Sequence, residues 1–314
     1  MNQWKSIVLN LSHENKIDFF TNNELFWAGR SFSSRWLNKY VNAQCNPLGE
    51  ENDIVFSVGL IAGSGASSSN RLSIGAKSPL TQGIKESNTG GNVGHVFSLL
   101  GIRALIVRGI SDDWHYIYIS KDETKVLSAN SILGKNIYET SAILQGKYGN
   151  KAAVISIGPA GEMLLPAACI GITDTDGIPA RHAARGGLAA VMGAKKIKAI
   201  VLDPQGSSYP LPYDKELLNA ARKRFARALL AHPATGSFLP KYGTAGLLDV
   251  INQIGGLPTR NYSTGQFEHS EKIDGNALHE LIINRNGRTS HACMPGCVIR
   301  CSNIIPSASG GELN

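Results

Sequence analysis

The sequence is short of charge, of long apolar runs and of paired cysteines, and each shortage removes a class of protein. Asp, Glu, Lys and Arg make up only 18% of the 314 residues while 42% are hydrophobic, a balance that excludes a disordered chain and allows a core spanning about two domains. The chain contains no run of about 18 or more apolar residues, so no membrane-spanning helix is expected. Met1–Leu11 lacks both the apolar stretch and the small-residue cleavage site of a signal peptide, and the cytoplasm is the expected location. Cysteine is scarce and odd in number, five in all, with three inside Cys293–Cys301. That excludes a secreted disulfide framework and points to a metal site in a reducing compartment.

Glycine is plentiful, 34 residues, as expected of tight turns and close backbone approaches. The formal charge of +7 comes from 31 basic and 24 acidic residues. The basic ones are scattered apart from Lys195, Lys196 and Lys198 and the stretch Arg222, Lys223, Arg224 and Arg227. This pattern does not point to nucleic acid; it suits an acidic partner such as a small electron-carrier protein, or an anionic, phosphate-bearing cofactor held inside.

Short β-branched or apolar runs bounded by glycine or charge predict strands at Ile54–Leu60, Leu105–Val107, Tyr116–Ser120, Ala153–Ile157 and Ala199–Leu202. Ahead of them, Trp4–Leu11 and the turn-like Ser12-His13-Glu14-Asn15-Lys16 predict a β-hairpin. Two stretches read as loose copies of one unit. The first is Gly90-Gly91, a helix over Asn92–Leu100, Gly101 and a strand; the second is Gly186-Gly187, a helix over Leu188–Met192, Gly193 and a strand. Each glycine-to-helix entry is either an anion seat, with free N–H groups at a positive helix end, or an ordinary crossover. The Gly/Ser/Pro-rich Gln205–Pro212 marks a boundary, and Asp214–Leu230 has apolar residues at helical spacing with basic residues between. The expected domains are 1–207 and a more helical 208–314. The polar Ser307–Asn314 follows a cysteine cluster with no closing element, the pattern expected of a truncated chain.

That cluster is Cys293-x3-Cys297-x3-Cys301, with His291 two residues ahead of it. Three thiolates from one loop, with a fourth from elsewhere, suit a [4Fe–4S] cluster. A Cys3His zinc site including His291 is the alternative. The spacing differs from the Cys-x3-Cys-x2-Cys loop of radical S-adenosylmethionine enzymes; Pro295 and Gly296 let the loop turn sharply, and Arg300 offsets cluster charge. His182 and His232 read as structural histidines. Cys169 reads as a buried small hydrophobe, Cys45 as a loop thiol, and Asp174 with Asp176 as a turn.

Several of these stretches together resemble the aldehyde:ferredoxin oxidoreductase family: Arg71-Leu-Ser-Ile-Gly-Ala-Lys77-Ser78-Pro79-Leu80-Thr81, then Ser87-Asn88-Thr89-Gly90-Gly91, Ile157-Gly158-Pro159-Ala160-Gly161-Glu162, Ala184-Arg185-Gly186-Gly187-Leu188, Met192–Ala199 and Leu257-Pro258-Thr259-Arg260-Asn261. The resemblance implies an α+β fold, in which a two-sheet pterin-binding domain with a pseudo-two-fold repeat is followed by the start of a helical domain. It implies a tungsten or molybdenum bis-pyranopterin, an Mg2+ bridging the pterin phosphates and a [4Fe–4S] cluster on Cys293, Cys297 and Cys301. Arg71 would lie between pterin and cluster, with Asn88, Gly90 and Gly91 on one pterin and Ala184, Arg185, Gly186 and Gly187 on the other. The implied reaction is oxidation of an aldehyde to a carboxylic acid with ferredoxin or a similar carrier as acceptor; a homo-oligomer is compatible with it. The fourth cluster ligand and the acid–base residues are expected beyond Asn314. Two departures stand out. The family's cysteine loop is often Cys-x2-Cys-x3-Cys, and its early Gly-Gly-Arg-Gly is here Ala28-Gly29-Arg30-Ser31. Two alternatives remain, a non-catalytic zinc module and a relative reducing another low-potential substrate such as an activated aromatic acid.

Overall fold

The computed structural model describes residues 4–12, 15–21, 27–209 and 211–307, which form two compact units, 1–218 and 219–314. The first is built from one pattern used twice. Its first copy runs β1 (Lys5–Asn10), β2 (Lys16–Thr21), α1 (Arg30–Tyr40), β3 (Ile54–Val58), β4 (Leu72–Lys77), β5 (Ile84–Thr89), α2 (Val93–Leu99) and β6 (Ile102–Arg108). Its second runs β7 (His115–Ile119), β8 (Thr124–Ser128), α3 (Ile137–Tyr148), β9 (Ala153–Ile157), the short α4 (Pro159–Glu162), β10 (Ile170–Ile172), β11 (Arg181–Ala183), α5 (Leu188–Ala194) and β12 (Ile197–Leu202). The predicted hairpin is β1–β2, antiparallel from Lys5↔Thr21 to Asn10↔Lys16; His13 and Glu14 of its turn lie outside the described residues.

The two sheets have one topology. The first is ordered β2-β1-β6-β3-β4-β5, and the second, read from its other edge, β8-β7-β12-β9-β10-β11. In each, the central strand (β6 or β12) lies parallel to the opening strand of its own copy and antiparallel to the third. Even the irregularity repeats. The ladder slips by one residue at Arg103 in β6 and at Lys198 in β12, a bulge that re-aims one side chain. Both re-aimed side chains are buried cations. Arg103 lies 4.4 Å from the Trp4 ring and Lys198 donates to the Lys135 and Ile157 carbonyls and to Glu162.

Alternation along the strands decides the layers. Inward residues such as Ile7, Leu9, Leu72 and Ile74 of one sheet and Ile117, Ile119, Ile155 and Ile170 of the other share one core with Val93, Val96 and Phe97 of α2 and Leu188, Val191 and Met192 of α5. The seven-residue α2 and α5 are therefore sandwiched between the sheets. Too short to persist alone, they are held by burial. The outer face of the first sheet packs Val55, Ala104 and Ile106 under Phe32 and Leu37 of α1. The outer face of the second packs Val154, Ala199 and Val201 under Leu144 of α3, whose start is closed by an Asn136–Glu139 capping box.

Burial sets the character of one lysine run and one thiol. Lys195 and Lys198 are 1% and 0% exposed; their aliphatic stems complete the core, and the ammonium protons go to backbone carbonyls and, for Lys198, to Glu162 as well. Cys45 lies in the α1–β3 loop, as expected of a loop thiol, and is 5% exposed, and burial pushes its thiol pKa up.

The second unit begins inside α6 (Lys215–Ala231) and continues with α7 (Leu239–Tyr242), α8 (Leu248–Gln253), α9 (Gly275–Asn284) and a hairpin of β13 (Arg288–His291) and β14 (Ser302–Ile304). Among its described residues the buried hydrophobic side chains are Ile282, Met294 and Cys297. Leu230, Val250, Ile254, Tyr262 and Ile283 are exposed. No described helix is long and apolar enough to cross a membrane.

Candidate functional site

The edge strands β5 and β11 of the two sheets lie against one another, and the predicted contacts collect along that seam. At one end Arg71, the residue before β4, is exposed and reaches back over Asn88 of β5. Its Nε donates to Asn88 Oδ1 and its Nη2 to the Asn88 carbonyl at 3.1 Å. Asn88 Nδ2 in turn donates to Glu86, which also accepts from Arg30 Nε at 3.2 Å. Asn88 is thereby held in one orientation, leaving the far side of the Arg71 guanidinium free to face outward.

Next to it, the buried Gly90 and Gly91 carry the chain into α2 across to the other sheet. Gly91 has φ +103°, and a Cβ there would stand 2.6 Å from Ile172 Cγ2 and 2.7 Å from the Thr173 carbonyl. The Asn92 N–H donates to that carbonyl at 2.9 Å, and Thr173 Oγ1 donates to Asn92 Oδ1 at 2.8 Å. At the opposite end, Gly187 has φ +70° and a Cβ would stand 2.7 Å from Pro79 Cγ; Ser78 Oγ donates to the Gly186 carbonyl at 2.7 Å. Each glycine pair is thus the place where one sheet's interior helix seats on the other sheet, which only a residue without a side chain allows. Ala184 and Arg185, just ahead of the second pair, are exposed. Each end of the seam therefore combines a glycine turn with an exposed guanidinium, Arg71 at the first and Arg185 at the second, an arrangement suited to an extended anionic group.

The three loop cysteines sit between β13 and β14. Cys293 and Cys301 are half-buried, and Cys297 is buried. Gly296 (φ +78°) and Arg300 (φ +54°) supply the sharp turns. His291 is buried on β13 opposite Ser302. Among the described residues no three His, Cys, Asp or Glu side chains converge as a ready metal cage.

Other residues depart from their sequence reading. Cys169 is not a buried hydrophobe: it is half-exposed, with Sγ 3.7 Å from His182 Nδ1. Partial burial, then Arg181, hold the His182 imidazole below its ordinary pKa. Asp174 is a turn residue as expected, Oδ1 accepting from the Asp176 and Ile178 N–H groups at 2.9 and 3.2 Å. Sequence reasoning missed a cavity of about 760 Å³ in the first unit, lined by Asn92, His95, Tyr148, Lys151 and Asp203 among others. Burial lowers the His95 pKa, and the Tyr209 hydroxyl lies 2.8 Å from its Nε2. No periodicity or motif signals this cavity, because its walls come from four separate loops and helix ends.

Comparison with known proteins bears on this arrangement. The family model for the aldehyde ferredoxin oxidoreductase N-terminal domain matches residues 9–204, and that for domains 2 and 3 of the same family matches residues 220–313. The chain belongs to the aldehyde ferredoxin oxidoreductase family. Within that family it is 37% identical over 273 residues to a tungsten-containing aldehyde ferredoxin oxidoreductase of Thermococcus kodakarensis, covering 86% of this chain and 44% of the relative. It is 36% identical to one of Pyrococcus horikoshii, covering 98% of this chain and 50% of the relative. The chain thus spans about half the length of the curated relatives it matches. Its fold is shared by the active-site complex BamBC of benzoyl coenzyme A reductase, at TM-score 0.75 and 24% identity over 97% of this chain and 47% of that one.

Proposed function

We propose that this chain is the cofactor-bearing part of a tungsten oxidoreductase that oxidises aldehydes to carboxylic acids and passes the electrons to ferredoxin or a similar carrier. The observation that carries the reading is the two-ended β5–β11 seam, with an exposed arginine and a glycine turn at each end, in a chain of this family. The residues fit two anionic pterin groups. Arg71, Asn88, Gly90 and Gly91 would hold one, and Ala184, Arg185, Gly186 and Gly187 the other. Asn88, oriented by Arg71 and Glu86, would fix the direction of hydrogen bonds to the first ring, while the glycine backbones let it approach closely. Cys293, Cys297 and Cys301 would bind an iron–sulfur cluster as thiolates. When bound, the metal–pterin group supplies the two-electron chemistry; the protein supplies position, charge and exclusion of water.

The test is the metal and pterin content of the protein, purified without oxygen from a host that makes pyranopterins. Tungsten or molybdenum with pterin and iron is the expected result. Zinc alone, bound with the loop thiols and His291, would overturn it in favour of a non-catalytic zinc module.

A further inference from the structure

The internal two-fold permits a residue-by-residue transfer from one end of the seam to the other. In the first sheet Leu72 pairs with Thr89 and Ser73 with Asn88. In the second, the corresponding strands pair Ile170 with Ala183 and Gly171 with His182. Asn88 and His182 therefore occupy the same register position, and Arg71 and Cys169 each stand immediately before the paired strand. The side-chain contact is repeated as well. Arg71 bonds Asn88, and Cys169 Sγ meets His182 Nδ1 at 3.7 Å. The surroundings match, since this face of the first sheet lies under α1, where Ser33 meets Ser73, and this face of the second lies under α3, where Ile137 covers Gly171.

We infer that Cys169 and His182 are the second half-site's counterpart of Arg71 and Asn88, a polar pair that meets the second anionic heterocycle; this rests on the cofactor reading above. The neutral imidazole accepts a hydrogen bond from the thiol at Nδ1, which leaves the Nε2 N–H as a donor for an acceptor-rich ring edge. The positive charge that Arg71 carries before β4 at the first end is supplied at the second by Arg185, after β11. The half-sites are thus alike in strand register and unlike in side chain: a guanidinium–amide pair at one, a thiol–imidazole pair with a displaced guanidinium at the other.

The test is the alkylation rate of Cys169 by iodoacetamide, read by peptide mass spectrometry on protein purified with and without pyranopterin, the pterin content being measured by its fluorescence after oxidation. Bound pterin is expected to slow Cys169 by about tenfold, while the buried Cys45 stays slow in both. His182→Asn, which installs the first end's residue, should retain pterin, and His182→Leu should lower its content by roughly half. Equal Cys169 rates in protein with full pterin content, or full retention by H182L, would overturn this proposal alone. Wild-type protein that takes up no pterin would overturn the cofactor reading and this proposal with it.

Discussion

Single side chains in this protein carry more than their residue type suggests, and Lys195 is the clearest case. It is 1% exposed with its ammonium on the Gly109 carbonyl at 2.9 Å, and burial pushes its pKa down to about 8. Between that value and the unfolded lysine's value of about 10.4, the unfolded chain holds a proton that the folded one has released. The Lys195 contribution to stability should therefore rise with pH across this window and be least favourable below about 8. Urea unfolding of wild type against Lys195→Met from pH 7 to 10.5 checks it: the wild type should gain on the variant as pH rises, and a flat difference would refute the assignment. Arg71 gives a second residue-level prediction. Because its fork reads both the side chain and the carbonyl of Asn88, Arg71→Lys should fail to restore the pterin content that Arg71→Ala loses. Equal pterin in wild type and R71K would show that charge alone suffices.

Elements here are decided by where they cross. The sequence predicts a short helix after each glycine pair, and both are present as α2 and α5; what the pattern leaves open is whether the glycines serve an anion or the crossing. The structure assigns them to the crossing at least, because a Cβ at Gly91 would meet Ile172 and the Thr173 carbonyl while φ stands at +103°. Gly91→Ala should therefore destabilise the protein by about 2–4 kcal/mol, the sum of left-handed strain and overpacking. Chemical denaturation measures this directly, and a loss below about 0.5 kcal/mol would mean that the two sheets can separate locally at no cost. The legible part of the candidate site has the same character. Arg71, Asn88 and the glycine pairs could be singled out because they lie in contiguous motifs. Cys169 and His182 could not, because their relation exists only once β10 and β11 are paired in register.

On the scale of the whole molecule, the first unit is one core shared by two sheets, with Phe97 of α2 0% exposed between them. Phe97→Ala should cost about 3–5 kcal/mol. Hydrogen exchange should then accelerate in β3 and β9 together, although Phe97 belongs to the first copy alone; acceleration confined to one sheet would argue for two separate cores. The second unit buries few hydrophobic side chains among its described residues. Amides of α6, α8 and α9 should therefore exchange faster than those of the sheets in the wild-type protein.

Local information in the sequence was enough to place β1, β3, β6, β7, β9 and β12, the paired glycine–helix units and the hairpin start, because each depends on periodicity or turn chemistry within a few residues, whereas β4, β5, β8, β10 and β11 were not read from it. It also determined the family, through motifs strung along the chain. Tertiary structure alone decided that Lys195 and Lys198 are buried, that Cys169 meets His182, and that the bulges at Arg103 and Lys198 are equivalent. These facts rest on pairing between residues distant in the chain, where a one-residue change of register would send every side chain to the opposite face.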